Sequence, residues 1–401
     1  MKGYHAIVAI VFLLSGCGSD RKNISKDLDV FKIDSRSPVE IVVNKDVEVE
    51  DSYDYSQAFD SVSFVRLSNE PEAMVTNIEQ LLVNDSLIFV LDRYGSGTVK
   101  MFSMSGQYLG DVGRRGRGPG EYIEPTHMEL NGDRIIIWDQ FSQQLMYYGM
   151  DRAFLGTKQF STMAMHFHQV DSNRIIFNSV NSDNKRWMED YSLFLCDSLS
   201  NVTGLGFYRK KNSYSNLWYN HDFFYQDSIL YYHPVYCDTI YTVNSDLGAK
   251  AAFHIDFGSR SLPDKIRRHH NQEMKEREQD RYSFLNGDFF IAGDYLMFQY
   301  NKVHTQYTGL FSMNTGRLIT FHTYSLELKK FFPLFLDNIS TSTNNAFVGF
   351  FFPAFIHKLT SRYPIEQREE LVEALGKERT DLVYSMKNDD NPIITFFYPS
   401  L

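Results

Sequence analysis

Short runs of aliphatic, β-branched and aromatic residues recur along the chain, and each run follows a polar turn. The clearest copy is Asp85–Asp92 followed by Val99–Gly110, and the next is Asp133–Asp139 followed by Leu145–Gly156. Apolar runs of four to eight residues that are bounded by Asp, Ser and Gly are typical of strands. The pattern therefore predicts an all-β protein built from repeated short strands.

The polar residues that begin these units define the period of the repeat. The first two are 48 residues apart, and weaker copies follow at spacings of 40, 54, 67 and 51. Periods near 40 to 50 residues with four short strands each are typical of β-propeller blades. We therefore expect a six-bladed β-propeller of four-stranded antiparallel blades. The six anchors are Asp85, Asp133, Asn173, Asp227, Asp294 and Asn345.

The two ends of the repeat region indicate how the ring closes. Blade six has predicted strands at 334–338, 347–352 and 393–398, and so it is one strand short. Residues 61–67, ahead of the first full blade, supply a run that can complete it. Since an open sheet edge is a liability, we expect the amino- and carboxy-terminal strands to pair within a propeller that spans residues 59–401.

Two segments predict small helical insertions into the propeller. Residues 264–281 are dense in both charges and predict a solvated helix. Residues 365–375 carry an apolar stripe, with Pro364 at the start and Gly376 just past the end, and predict a second helix.

The first residues predict a targeting signal and not a folded structure. Lys2, the apolar run Ala6–Leu14 and the sequence Leu14–Cys17 resemble a bacterial lipoprotein signal with its lipobox. That resemblance implies cleavage after residue 16 and lipidation of Cys17, since two or more acyl chains anchor a protein stably. A plain secretory signal with a chance Cys is the alternative. We expect a signal peptide at 1–16, a lipidated Cys with a polar tether at 17–58, and an envelope protein held at the outer membrane, facing the periplasm or the cell surface.

Composition agrees with a folded β protein and excludes one class of partner. Hydrophobic residues make up 43% of the chain and charged residues 22%, which is ordinary for a globular protein. Aromatic residues reach 15%, which favours strands. The formal charge of −10 argues against nucleic acid, whose phosphates are bound by clustered Lys and Arg. A ring of blades also explains how 401 residues can form one domain.

Two cysteines remain beyond Cys17. Cys196 and Cys237 fall at non-equivalent places of the repeat, so we expect two buried free thiols, with a disulfide as the alternative. No His or basic residue adjoins either thiol in the sequence to lower its pKa, so neither is a good candidate nucleophile.

Four phrases carry a resemblance to a known family. They are Gly113–Tyr122 after blade one, Cys237–Tyr241 in blade four, His254–Gly258 at its end, and the closing Asn391–Ile393. Together they resemble the six-bladed β-propeller lipoproteins related to NHL-repeat propellers. The resemblance covers nearly all of the chain after the signal and implies the fold and the surface address. It implies no catalytic residue, because the function of that family is largely unknown.

The glycine-rich loop Gly113–Tyr122 has a structural and a binding interpretation. Its glycines permit positive φ, Pro119 fixes one bend, and Glu121 can bond loop amides or an Arg. We expect a blade connection packed on its neighbour. The alternative is an anion site formed by Arg114, Arg115 and Arg117.

Innermost strands of a propeller converge on its channel, so equivalent positions there are candidate ligand contacts. The position six residues before each anchor holds, in order, Glu79, His127, Phe167, His221, Asp288 and Ile339. A slip of one residue replaces Phe167 by His166 or His168. We predict a ligand site at the channel mouth; its candidate residues are Glu79, His127, His166, His221 and Asp288. A divalent metal held by these imidazoles and carboxylates is one alternative, and a solvated pore is another.

The three tryptophans divide between core and surface. Trp138 lies in a predicted blade strand and is expected in the core. Trp187 and Trp218 lie in polar loops, where ordinary loop packing or contact with a sugar ring or a partner is possible.

None of the familiar nucleophile, zinc or dinucleotide motifs occurs in the sequence. We therefore expect a membrane-anchored binding protein that holds a protein, peptide or glycan on one propeller face, without a cofactor. The alternative function is a hydrolase or lyase that uses the channel-mouth His and carboxylate residues, with or without a metal.

Overall fold

A computed structural model describes most of the chain and forms a closed ring of six β-sheets. Most blades have four strands, and the predicted six-bladed antiparallel propeller is confirmed. The described residues are 28–49, 57–178, 191–208, 223–263, 266, 281–302, 305–323, 339–355, 369, 372 and 376–401.

The strands are numbered along the chain. The first four are β1 (Asp29–Val30), β2 (Lys32–Asp34), β3 (Val39–Val42) and β4 (Phe59–Arg66). Blade 1 contains β5 (Gln80–Val83), β6 (Leu87–Asp92), β7 (Thr98–Ser103) and β8 (Tyr108–Val112), and a small pair, β9 (Arg114–Arg115) and β10 (Glu121–Tyr122), follows it. Blade 2 contains β11 (Pro125–Asn131), β12 (Arg134–Asp139), β13 (Gln144–Gly149) and β14 (Phe154–Gln159).

The second half of the ring repeats this order. Blade 3 contains β15 (His166–Gln169), β16 (Ile175–Asn178), β17 (Tyr191–Cys196) and β18 (Val202–Tyr208). Blade 4 contains β19 (Phe223–Gln226), β20 (Ile229–Tyr232), β21 (Thr239–Val243) and β22 (Gly248–Asp256). Blade 5 contains β23 (Ser283–Ala292), β24 (Tyr295–Lys302), β25 (Thr305–Ser312) and β26 (Leu318–His322). Blade 6 contains β27 (Ile339–Ser342), β28 (Phe347–Phe351), β29 (Ile393–Pro399) and, from the amino terminus, β4.

The first strand of each blade is the innermost, and these six strands contact one another in a circle. All six sequence anchors lie in the turn between the first and second strand of a blade, from Asp85 in blade 1 to Asn345 in blade 6. The polar turn residues therefore located every blade correctly. The first strand of blade 6 was misplaced: residues 334–338 lie outside the described residues, and the innermost strand is Ile339–Ser342.

The ring closes as predicted, by pairing of β4 with β29. Their register runs from Ile393 opposite Arg66 to Pro399 opposite Phe59. The side chain of Asn391 fastens this closure to the start of blade 1. It accepts a hydrogen bond from the backbone of Val75 at 2.7 Å and donates to the carbonyls of Ser68 and Ala73 at 2.6 and 3.0 Å.

Most of the core of the described residues lies in six apolar layers, each between two neighbouring blades, and a small seventh cluster contains Val235, Tyr236, Leu262 and Phe284. The layer between blades 2 and 3, for example, packs Trp138 against Phe160 and Phe177. Trp138 is fully buried, as predicted, and its indole N–H donates to the carbonyl of Ala164 at 2.9 Å. Because each layer needs flat apolar surfaces on both sides, the high aromatic content follows from this architecture.

Residues 28–49 differ from the predicted tether at 17–58. They form a belt along the outer rim: β1 pairs with β18 of blade 3, and β2 and β3 pair with β22 of blade 4, all in parallel. The belt reaches blade 5, where the carboxylate of Glu48 lies 2.5 Å from the ammonium of Lys302. The physical reason is that the outermost strands expose backbone donors and acceptors, which a further strand can pair.

The two faces of the ring differ in their connections. Connections from second to third strands and from one blade to the next leave one face, which we call the long-connection face; the long ones are 67–79, 113–124, 179–190, 209–222, 257–282, 323–338 and 352–392. The opposite face carries the turns from first to second and from third to fourth strands. We call it the short-turn face, since none of its turns exceeds five residues.

The described helix was missed by the sequence pattern. It is α1 (Lys377–Ser385), and Gly376 precedes it with φ of 79°, a conformation that glycine adopts at low cost. The predicted insertion at 264–281 and most of the predicted helix at 365–375 lie outside the described residues.

Replacing Asn391 by Ala tests the closure. Three backbone groups of blade 1 would lose their partner in the protein interior, so we expect Asn391→Ala to lower the free energy of unfolding by about 3 kcal/mol in urea titration. Asn314→Ala is the matched control, because its exposed amide bonds only Asp294, and it should change stability by less than about 0.5 kcal/mol. Equal effects of the two substitutions would contradict this role.

Candidate functional site

The central channel contains a cavity of about 170 Å³ between the innermost strands. Consecutive residues line it, such as His127–Leu130 of β11 and Phe223–Tyr225 of β19. Consecutive residues border a space when a strand edge, and not one face of a strand, is turned towards it. The lining residues include the first residue of β5, Gln80, and its last residue, Val83, so the cavity runs along the innermost strands.

Side chains from one blade satisfy the inner strand edges of the next. The amide of Gln80 in blade 1 accepts from the N–H of Met128 at 2.7 Å and donates to the carbonyl of Met128 at 2.9 Å. Between blades 6 and 5, the hydroxyl of Ser342 donates to the carbonyl of Ile291 at 2.5 Å. These contacts extend backbone pairing across the gaps between blades.

A polar contact between the side chains of Glu129 and His168 lies at the channel cavity. The Glu129 carboxylate lies 3.2 Å from Nδ1 of His168 and accepts from the backbone N–H of Gln169 at 3.1 Å. Glu129 is only 8% exposed and His168 5%, and both line the cavity. The His168 ring stacks on Tyr225 of blade 4 with ring centroids 4.4 Å apart. Blades 2, 3 and 4 therefore meet at this pair.

The structure brings two of the predicted channel residues together. His127 lines the cavity, and its ring centroid lies 5.0 Å from that of His166 and 5.1 Å from that of Phe167. Glu79 directly precedes β5, and its backbone N–H donates to the carbonyl of Leu91 at 2.9 Å. Asp288 lies half-buried within β23, and neither carboxylate lines the cavity. His221 lies outside the described residues.

In the part of the chain that the structure describes, no cluster of side chains supports the metal alternative. No group of three or more His, Cys, Asp or Glu side chains there is placed to hold an ion. The hydrolase or lyase alternative stays a prediction.

Glu129 was not among the predicted site residues, and His168 entered only as a slip of one residue. The ungapped alignment assumed one face of each innermost strand towards the channel. Both residues lie within two positions of the predicted ones, at 127 and 166. Glu129 shares a strand face with His127, and His168 shares one with His166, because side chains two residues apart point to the same side. A search extended by two residues along each innermost strand would have found both.

The glycine-rich loop has the geometry of a packed connection. The Glu121 carboxylate accepts from the Arg114 guanidinium at 2.6 Å and from the backbone N–H of Gly118 at 2.8 Å. The hydrogen bond from Gly118 is the largest cause that holds the pKa of the Glu121 carboxyl below its usual range. The hydrogen bond and the positive charge of Arg114 act in the same direction. The buried Tyr122 hydroxyl donates to the carbonyl of Val112 at 2.9 Å. Arg115 and Arg117 remain exposed.

Exposed aromatic side chains accompany these arginines on the long-connection face. Tyr94, in the turn between β6 and β7, is 68% exposed, and Phe141, in the corresponding turn of blade 2, is 67% exposed. The guanidinium of Arg93 lies 5.0 Å from the centre of the Tyr94 ring. Tyr94, Arg115, Arg117 and Phe141 are called the aromatic–arginine patch below. Trp187 and Trp218, also predicted as contacts, lie outside the described residues.

The remaining predicted groups are structural or outside the described residues. Cys196 and Cys237 are buried free thiols, as predicted. Burial, together with the charge of Asp197, raises the pKa of the Cys196 thiol to about 12. Cys17 lies outside the described residues. None of the helices in the described residues is long and apolar enough to cross a bilayer.

Comparison with known proteins places the chain among propellers. A family described as "Domain of unknown function (DUF4934)" matches residues 38–398. The sequence matches no curated protein.

Solved structures give the same result for the fold. A Bacteroides fragilis protein described as exported is 16% identical with a TM-score of 0.71, and the match covers 91% of this chain and all (100%) of that one. A member of the DUF4221 family from Bacteroides vulgatus is 10% identical with a TM-score of 0.47, covering 85% and 98%. BamB from Moraxella catarrhalis is 11% identical with a TM-score of 0.38, covering 72% and 74%. The first of these likenesses supports the fold alone.

The thiols allow a direct test of the core. With a pKa of about 12 the Cys196 thiol is almost wholly protonated at pH 8, and burial blocks access, so a thiol reagent should label neither Cys196 nor Cys237 in the native protein within an hour. In guanidinium chloride both should react at once. Labelling of the native protein at the rate of the unfolded one would contradict the buried placement.

Proposed function

The chain belongs to the family described as "Domain of unknown function (DUF4934)", and we propose that it acts as an exported, lipid-anchored β-propeller that binds a partner on its long-connection face. The lipobox-like sequence ending at Cys17 supports export and anchoring. The description of the Bacteroides fragilis protein as exported agrees with this address. The role proposed is binding and not catalysis.

The observation that carries the binding role is the aromatic–arginine patch. Exposed large aromatic residues are costly in water, and aromatic residues and arginines are the residue types that dominate binding energy at protein interfaces. Tyr94 and Phe141 occupy equivalent turns of neighbouring blades, at the face that also bears all the long connections. A rigid ring that presents variable loops at one face suits recognition.

The charge of the patch indicates the chemistry of its partner. The chain as a whole carries a formal charge of −10, yet Arg115 and Arg117 project from this face without a carboxylate bonded to them among the described residues. A planar guanidinium binds carboxylates through two parallel hydrogen bonds. The proposed partner is therefore an acidic protein or peptide. The test below distinguishes it from an acidic glycan.

The direction of the belt supports an orientation of the ring. Strand β1 runs parallel to β18, which leads from the short-turn face to the long-connection face, so β1 begins on the short-turn side. Only residues 18–28 separate the lipidated Cys17 from the rim, a span of at most about 40 Å. The short-turn face is accordingly the side nearer the membrane, and the patch faces away from it.

Affinity capture from envelope extracts tests the binding role. The purified protein should retain an acidic protein, and Tyr94→Ser combined with Phe141→Ser should lower the amount captured at least about tenfold, because these rings supply most of the apolar contact area. Arg115→Glu with Arg117→Glu should also abolish capture, and capture by the wild type should fall with rising salt.

Leu199→Ser is the matched control, because Leu199 is equally exposed but lies in a turn of the short-turn face. Partner capture that persists in both patch variants would contradict the proposal. Binding to acidic glycans on an array, with no protein captured, would show that the partner is an acidic glycan and not an acidic protein.

Energy transfer to the membrane tests the orientation. Lipidated protein in vesicles would carry a fluorophore at Asp133→Cys on the short-turn face or at Arg117→Cys on the opposite face, with an acceptor lipid. Transfer should be stronger from position 133, since that face lies nearer the anchor. Cys17→Ser should abolish transfer from both positions. Equal energy transfer from positions 133 and 117 of the lipidated protein would contradict the orientation. Transfer that survives Cys17→Ser would contradict the anchor.

A further inference from the structure

The volume of the channel cavity indicates the size of ligand that it can hold. An apolar cavity of 150 Å³ in another protein accommodates benzene, and this one measures about 170 Å³. The space therefore matches a single six-membered ring with one substituent.

The cavity wall is mixed, with slightly more apolar than polar surface. Leu82, Leu130, Phe167, Phe223 and Phe290 come from five different blades and border the space. Two of its polar neighbours are already engaged, since the Gln80 amide bonds Met128 on both sides and the Ser342 hydroxyl donates to Ile291. A flat aromatic ring is the body that such a wall favours.

His168 supplies a polar anchor in this wall. Glu129 holds its Nδ1, and Tyr225 stacks on the ring, so the orientation of the imidazole is fixed from two sides. In the described part of the chain no residue bonds Nε2, the ring nitrogen on the side away from Glu129. His168 lines the cavity, so a ligand there can contact an imidazole whose orientation is already fixed.

We propose that the cavity binds a small phenol-type molecule, with its ring among Leu82, Leu130 and Phe167 and its hydroxyl on Nε2 of His168. A hydroxyl donates to a neutral imidazole and accepts from a protonated one, so it fits His168 in either state. A carboxylate would fit only the protonated ring, and an ammonium only the neutral one. A sugar ring would place its other hydroxyls against Leu and Phe side chains.

This site is distinct from the aromatic–arginine patch, because none of the residues that line the cavity belongs to the patch. Loss of ligand binding in the cavity would leave partner capture unchanged, and the two proposals can fail separately.

Calorimetric titration of the purified protein with phenol tests the site. We expect saturable binding with one site per chain and a dissociation constant on the order of 1 mM or below. Toluene, which has the same body without the hydroxyl, should bind at least about tenfold more weakly. Leu82→Trp, which fills the cavity, should abolish binding.

The decisive variant is His168→Asn. The Asn side chain can keep the hydrogen bond of Nδ1 to Glu129 and lacks Nε2, so it should fold like the wild type and bind phenol at least about tenfold more weakly. Circular dichroism melting checks the fold of each variant. The matched control is His254→Asn, because His254 also bonds a glutamate, Glu40 at 2.7 Å, but lies at the outer rim.

Three outcomes would overturn the proposal. They are absence of saturable phenol binding to the wild type, equal affinity for phenol and toluene, and equal loss of affinity in His168→Asn and His254→Asn. A folded Leu82→Trp variant that still binds phenol would place the ligand elsewhere and would also contradict it.

Discussion

The architecture depends on satisfying the free edges of six small sheets. A four-stranded blade exposes backbone donors and acceptors along its innermost and outermost strands, and exposed edges invite pairing with other chains. The ring deals with the inner edges through side chains of neighbouring blades, as Gln80 does for Met128. It closes blade 6 with β4 from the amino terminus, and the belt covers outer edges of blades 3 and 4.

The same constraint produces the features that matter for function. Because strand edges border the channel, the cavity takes its chemistry from residues on both faces of the innermost strands, and Glu129 and His168 meet there with Tyr225. Because each blade has an even number of antiparallel strands, all long connections emerge at one face. The molecule therefore has one face that bears the long connections and a small cavity in its channel.

The belt links the fold to the proposed anchor. Parallel pairing with β18 and β22 fixes the chain to the rim shortly after Cys17, where the sequence alone indicated a loose polar tether. Ten of the 22 residues at 28–49 are apolar, a share close to that of the whole chain, so the composition of this stretch did not support a polar tether. Phe31, Ile41 and Val43 among them are buried against the outer strands.

The sequence alone determined the number of blades, the position of each first turn, the closing strand and the buried state of Trp138 and both thiols. These follow from local patterns, since turn residues and apolar runs act over a few positions. The tertiary structure decided which channel side chains meet, because His168 reaches Glu129 only when two blades 40 residues apart are packed together with their actual bulges and loop lengths. It also decided the path of residues 28–49, since pairing with a distant strand edge leaves little trace in local sequence.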